Sequence, residues 1–293
     1  MLPAEVLHQV RRLHLRARKL VQNALGGEYH SAFKGTGLSF EEVREYQPGD
    51  DIRSIDWNVT ARMGQPFIKR YVEERELTVL LAVDMSASLR FGTQSRSKRV
   101  VAAELAALLA LCAAGNNDRI GLLAFTDRVE RFVKPNKGPR HVLRLLRDVL
   151  AFEPEHQGTN LTAALESLNR SQRRRAVVFL LSDFQDPAPD LFRRTARKHD
   201  LIAVRIRDAR EETWPAVGLV ELEDAETGER RLVDTRSLAF RQGFEAKARE
   251  RQAAFAKQVR EAQADLIEAT TDGNHFDALL AFFRRRERRR ARG

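Results

Sequence analysis

At 293 residues, 43 % of them hydrophobic and 31 % charged, the chain is long enough for one large α/β domain with an accessory segment. A mean hydropathy of −0.45 and the lack of any long uncharged apolar run argue against a membrane span. The formal charge of +10 points to a nucleic-acid binder only until it is located: seven arginines and one glutamate between Arg284 and Arg292 supply +6 of it, leaving +4 for the rest. A basic tail of this kind attracts any polyanion, so no specific nucleic-acid partner is expected.

Residues 1–76 open on a basic amphipathic stretch from Glu5 to Leu25, where Val6, Val10, Leu13, Ala17 and Leu20 recur at helical spacing before Gly26-Gly27 ends the run. The stretch has neither the apolar core nor the cleavage site of a signal peptide, so a soluble, cytoplasmic protein is expected. From Gly35 to Glu76 turn formers and charges dominate. Here Gln47-Pro48-Gly49-Asp50-Asp51 reads as a turn entering an extended stretch from Ile52 to Trp57. This accessory module is either a rigid turn, with Arg53 and Asp56 satisfying each other or nearby backbone, or a docking surface.

From Leu77 the pattern changes to βα alternation. Leu77 to Val83 is a nearly unbroken apolar run ending in Asp84, as a parallel strand buried on both faces requires. Ser97 to Ala114 carries Val101, Leu105, Leu108 and Cys112 at helical spacing, with Gly115 placed to close the helix. Cys112, the only cysteine, is read as a small buried thiol. Ile120–Phe125 and Val129–Val133 form an edge hairpin around Thr126-Asp127-Arg128. Helices follow at Pro139–Phe152 and Leu161–Asn169, a strand at Ala176–Leu181, a helix at Pro189–Lys198 and a strand at Leu201–Ile206. A hairpin insertion near 215–235 turns at Glu226-Thr227-Gly228-Glu229. A charged helix over Leu238–Ala264, a strand at Leu266–Ala269 and a terminal helix from Phe276 complete the pattern. The alternation predicts a doubly wound, mostly parallel sheet with one antiparallel edge strand over 77–283, followed by the basic tail 284–293.

Three loops of this sheet carry oxygen donors: Asp84, Ser86 and Ser88 after the first strand, Thr159 in Gly158-Thr159-Asn160-Leu161, and Asp183 after a later strand. In a doubly wound sheet the loops after parallel strands gather at one edge, so residues a hundred positions apart can meet there. Two carboxylates, three hydroxyls and water suit a hard cation such as Mg²⁺, with Mn²⁺ or Ca²⁺ as alternatives. No His or Cys nucleophile with a paired base stands out, and no phosphate loop of the Gly-x-x-x-x-Gly-Lys-[Ser/Thr] type. His156, three residues before Thr159, reads as a solvated loop residue.

In these residues the sequence resembles the von Willebrand factor type A domain, whose metal-ion-dependent adhesion site combines an Asp-x-Ser-x-Ser loop, a Thr loop and an Asp loop. The resemblance implies that Asp84, Ser86, Ser88, Thr159 and Asp183 hold the ion, with an open position for a partner's Asp or Glu. Gly37-Leu38-Ser39-Phe40-Glu41-Glu42-Val43-Arg44-Glu45-Tyr46, Pro48-Gly49-Asp50-Asp51, Arg53, Ile55-Asp56-Trp57 and Glu73-Glu74-Arg75-Glu76 resemble the bacterial "domain of unknown function 58" family. That resemblance implies an adaptor or co-chaperone of a MoxR-type AAA+ ATPase, acting on a client through an acidic side chain. The expected function is therefore non-enzymatic, cation-dependent protein binding. Two alternatives stand beside it: a metal-dependent hydrolase of phosphatase type, for which Ser86 replaces the second carboxylate of an Asp-x-Asp loop, and polyanion binding through the arginine tail.

Overall fold

The computed structural model describes residues 12, 14–15, 17–33, 39–72, 76–93, 96–225 and 228–291. Glu5 to Val10 and Leu13 of the expected first helix lie outside the described residues. So do Gly37-Leu38 and Glu73-Glu74-Arg75 of the signature segment, Glu226-Thr227 of the hairpin turn, and Arg292. The chain forms two compact units, one of residues 33–77 and one joining residues up to 32 with those from 78 onward. Residues up to 32 thus pack with the sheet unit rather than with the segment that follows them. Tyr29 of α1 (Gly26–Ala32) donates its hydroxyl to Asp118 at 2.9 Å and meets Phe283 edge-on at 5.7 Å, both within that unit.

The smaller unit pairs β1 (Ser39–Glu45) antiparallel with β2 (Phe67–Val72) around α2 (Trp57–Met63). The stretch Ile52–Trp57, expected to be extended, instead makes a 3₁₀ turn over Ile52–Ser54 and then enters α2. Its aspartates decide this. Asp51 accepts from Arg53 N–H at 3.0 Å, and Asp56 caps α2 by accepting from Asn58 N–H at 3.0 Å, so side-chain oxygens satisfy the first helical donors. Asp56 thus serves backbone rather than Arg53. The ion pair of this turn is Arg44 with Asp50, a two-pronged contact at 2.7 and 2.9 Å that pulls the Asp50 carboxyl below its ordinary range. Gly49 supplies the positive φ of 111° that the turn requires.

The larger unit is a six-stranded sheet. In chain order its elements are β3 (Thr78–Asp84), α3 (Lys98–Gly115), β4 (Arg119–Phe125), β5 (Val129–Asn136), α4 (Pro139–Ala151), α5 (Leu161–Ser171), β6 (Val177–Ser182), α6 (Pro189–Lys198) and β7 (Asp200–Arg207). After these come the hairpin β8 (Leu219–Glu223) and β9 (Arg230–Asp234), α7 (Leu238–Ala262), β10 (Asp265–Thr270) and α8 (His275–Ala291). The sheet order is β10-β7-β6-β3-β4-β5, parallel throughout except for β5, which runs antiparallel to β4. This is the expected doubly wound architecture. Because β4 lies on one side of β3 and β6 on the other, the chain reverses direction across the sheet between β3 and β6. A crevice opens at the carboxyl ends of those two strands.

β3 is buried from Val79 to Asp84, and so is α3 on nearly every side: six alanines between Ala102 and Ala113 let it lie close to the sheet. Its C-terminal turn takes the left-handed residue at Asn117 (φ 59°), two positions beyond the glycine expected to supply it. The opposite sheet face buries Leu80, Leu123, Val178 and Leu180 against Leu165, Phe192, Phe255 and Val259 of the covering helices. Each large side chain sealed there contributes about 1.5–3 kcal/mol. Among the described residues no helix is long and apolar enough to cross a membrane.

The arginines expected to form a separate basic tail continue α8 instead. Arg286, 10 % exposed, reaches Asp265 at 2.6 Å and also pairs with Asp200, while Arg289 grips Asp265 at 2.8 and 3.0 Å. Arg284 pairs with Glu28 at 2.9 Å, and Arg285 and Arg290 donate to the carbonyls of Leu266 and Ala32. The run is basic because it neutralises the acidic starts of β7 and β10 and satisfies the end of α1.

Candidate metal centre

Asp84 stands at the end of β3, fully buried, and both of its oxygens are engaged. Oδ1 accepts the Ser86 N–H at 2.9 Å and Oδ2 accepts the Ser182 hydroxyl at 2.7 Å, so the carboxylate shapes its own loop and joins it to the end of β6. The backbone then turns through a 3₁₀ segment, Ala87–Arg90, which brings Ser86 Oγ to 3.0 Å from Ser88 Oγ. The second loop is fastened to the first by Ala87 N–H donating to Gln157 C=O at 2.8 Å, and to the β4–β5 turn by Asn160 N–H donating to Thr126 C=O at 2.9 Å. Asn160 caps α5 through Ala163 N–H, and Leu161 N–H donates to Asp186 in the third loop at 2.7 Å. Thr159 is thereby held between the other two loops. It lines, with Ser88, one cavity of about 580 Å³.

Asp183, buried after β6, is the neighbour whose charge Asp84 senses. Burial, and then the Asp183 charge, push the Asp84 carboxyl up to about 7, against the pull of its bonds from Ser182 and Ser86. Asp183 Oδ2 accepts from Lys98 Nζ at 2.7 Å and from Gln185 Nε2 at 3.3 Å, and Oδ1 from Gln185 N–H at 3.3 Å. The structure therefore joins all three expected loops. It also adds residues that the sequence reading missed: Lys98, Ser182, Gln185 and Glu211. Lys98 was detectable. It falls on the stripe Lys98, Val101, Ala102, Leu105, where a charge at helical spacing among buried positions demands a partner.

These residues fit a hard divalent cation. Oxygens bound side by side at about 2.0–2.1 Å on an octahedral ion lie about 2.8–3.0 Å apart. The two serine hydroxyls already have that separation. Asp84 is raised by burial and then by the charge of Asp183, and a cation placed between them would relieve both. Among the described residues no three of His, Cys, Asp and Glu converge, so the donors are mainly hydroxyls with outlying carboxylates. His156 is half-buried, and its N–H donates to Glu130 at 3.1 Å. Cys112 is fully buried, and burial pushes its thiol up, away from reactivity.

Comparison with solved structures finds likenesses of low identity. An aerotolerance-related membrane protein from Bacteroides fragilis is 15 % identical, with 72 % of this chain and 99 % of that one covered and a TM-score of 0.49. The VWA domain of SpRpn10 is 12 % identical, with 70 % and 94 % covered and a TM-score of 0.38. Closer in sequence are uncharacterized proteins of Mycobacterium tuberculosis and Mycobacterium bovis. Each is 33 % identical over 285 residues, which is 95 % of this chain and 89 % of the relative. A family model matches residues 42–254, covering most of the smaller unit, the three oxygen-bearing loops and most of α7, and the chain belongs to that family, described as protein of unknown function DUF58.

Proposed function

We propose that the chain is a non-enzymatic protein-binding module that takes an acidic side chain of its partner at a divalent cation. The observation that carries this reading is the pair Ser86 Oγ and Ser88 Oγ, 3.0 Å apart beside two buried carboxylates, with Ser88 and Thr159 on the wall of an open cavity. Ser86, Ser88 and Thr159 present hydroxyl oxygens. Asp84 fixes the Ser86 backbone and is fixed by Ser182, while Asp183 stands behind them with Lys98 and Gln185. Mg²⁺, or Mn²⁺ or Ca²⁺ in its place, supplies there a positive charge incompletely neutralised by neutral donors and so attracts a carboxylate. The partner of first choice is a MoxR-type AAA+ ATPase with its client, and the family resemblance is what supports that choice.

The test is partner recovery by the intact protein in Mg²⁺ and in chelator, with wild type and Ser86→Ala side by side. Ser86→Ala removes one hydroxyl and leaves Asp84 its backbone bond. Recovery is expected to fall in both chelator and Ser86→Ala. Equal recovery with and without metal would reject the cation. Turnover of a phosphomonoester that Asp84→Ala abolishes would replace this reading with the hydrolase.

A further inference from the structure

Lys98 is fully buried at the first residue of α3, a place where the helix dipole disfavours a cation and where an unpaired ammonium is costly. Two carboxylates hold it: Nζ donates to Asp183 Oδ2 at 2.7 Å and to Glu211 Oε1 at 2.5 Å. Burial pulls the ammonium down, and the two carboxylates more than offset this, leaving it above its ordinary value. Gln185 makes the same link again, its Nε2 donating to Asp183 at 3.3 Å and to Glu211 at 3.0 Å.

The two acids belong to different structures. Asp183 is part of the candidate cation site, while Glu211 closes a 3₁₀ turn, Ala209–Glu211, that follows β7. The start of that turn is fixed by buried Asp208, which accepts from Thr93 N–H and O–H, Arg210 N–H and Thr271 O–H. Beyond the turn, Trp214 meets Phe244 of α7 edge-on at 6.3 Å, and Arg210, Glu211 and Trp214 line the same 580 Å³ cavity as Ser88 and Thr159.

We propose that Lys98 is a positioning residue that couples the cation site to the Glu211–Trp214 wall, so that ion binding and the shape of the partner cavity are set together. This rests on the cation reading above. An ion arriving beside Asp183 draws that carboxylate's charge away from Lys98, and the ammonium then bears more strongly on Glu211. Linkage makes the effect reciprocal: a partner that moves the wall changes the affinity for the ion.

The chain has two tryptophans, Trp57 and Trp214, so Trp57→Phe leaves Trp214 as the single reporter. In that background Mg²⁺ is titrated into the full chain, with calorimetry reporting binding and emission reporting Trp214. Emission is expected to follow the binding curve. Glu211→Ala retains the Lys98–Asp183 pair, so Mg²⁺ still binds and the Trp214 response disappears. Glu211→Gln, whose amide oxygen still accepts from Lys98, restores part of it. Lys98→Met removes a charge that repels the ion, and binding tightens about tenfold with Trp214 silent. If Lys98→Met does not fold, the two Glu211 variants decide alone. Mg²⁺ binding with an unchanged Trp214 response in Glu211→Ala overturns the coupling and leaves the cation reading intact, as does binding to the reporter protein without any response. No calorimetric binding at all removes both.

Discussion

At the amino ends of β7 and β10, Asp200 and Asp265 are met by Arg286 and Arg289, so two carboxylates face two guanidiniums. At the carboxyl ends of β3 and β6, Asp183 and Glu211 share the ammonium of Lys98, while Asp84 beside them accepts from Ser86 N–H and the Ser182 hydroxyl. One end of the sheet is electrically closed; the other holds buried Asp84 beside the charge of Asp183, with the mutually hydrogen-bonded hydroxyls of Ser86 and Ser88 and an open cavity next to them. Buried charge serves structure where it is matched. Where it is left unmatched, it is available to a ligand.

The largest expected effect tests the unmatched end. Lys98→Ala takes the ammonium from Asp183 and Glu211, leaving them the Gln185 amide, and costs roughly 3–5 kcal/mol of unfolding free energy in urea titration. A loss under 1 kcal/mol would mean that the ammonium is not needed there. Arg286→Ala tests the matched end, and because Arg289 still holds Asp265, the loss is smaller, about 2–3 kcal/mol by the same measurement. If the two losses came out in the reverse order, the contrast between the ends would fail.

Proton linkage separates the ends by sign. Asp84 is raised from 3.8 to about 7, so its contribution is full below about 4 and is lost as pH rises through 7. His199, near the matched end, is fully buried, and Ala176 N–H donates to its Nδ1. Burial, with Lys198 and Arg175 nearby, lowers it from 6.5 to about 4. Its contribution is therefore full above 6.5 and is lost as pH falls toward 4. Between about pH 4 and 6.5 the two contributions oppose each other, so in metal-free protein Asp84→Asn is expected to leave a melting temperature that rises with pH over this range, and His199→Asn one that falls. Mg²⁺ should act on the wild type as Asp84→Asn does. An Asp84→Asn curve parallel to wild type would show that the carboxylate is not perturbed.

The smallest effect concerns Arg288, exposed on α8 between the paired arginines. Arg288→Ala should change stability by less than about 0.5 kcal/mol. A polyanion bound through this face would lose about 0.9 from its salt slope with that one charge; an unchanged slope confines the arginine run to structure.

Most of the sheet unit was legible because its strands and helices carry unmixed periodicities. Pro189–Lys198 has the expected bounds, and other elements from residue 78 onward shift by only a few residues, as where β5 runs on to Asn136, whereas the N-terminal helix passes through Gly26-Gly27, expected to end it, and reaches Ala32. Ile52–Trp57 misled because the turn formers Gln47–Asp51 read as leading into an extended stretch, while Asp51 and Asp56 stabilise further turns by capping, a local bond that turn composition does not register. Arg284–Arg292 misled for the opposite reason. A charge run reads as solvated until its counterions are found, and those counterions, Asp200, Asp265 and Glu28, lie far away in the chain.

By itself, the sequence determined the alternating sheet and which loops carry oxygen-bearing side chains, since burial periodicity and loop chemistry are properties of neighbouring residues. The tertiary structure decided which charges are answered. Asp183 meets a lysine 85 positions earlier and, through it, Glu211, whereas Asp84 meets only donors weaker than a full positive charge. Charge balance over a few ångströms depends on which distant segments the fold brings together, and no local pattern in the chain encodes it.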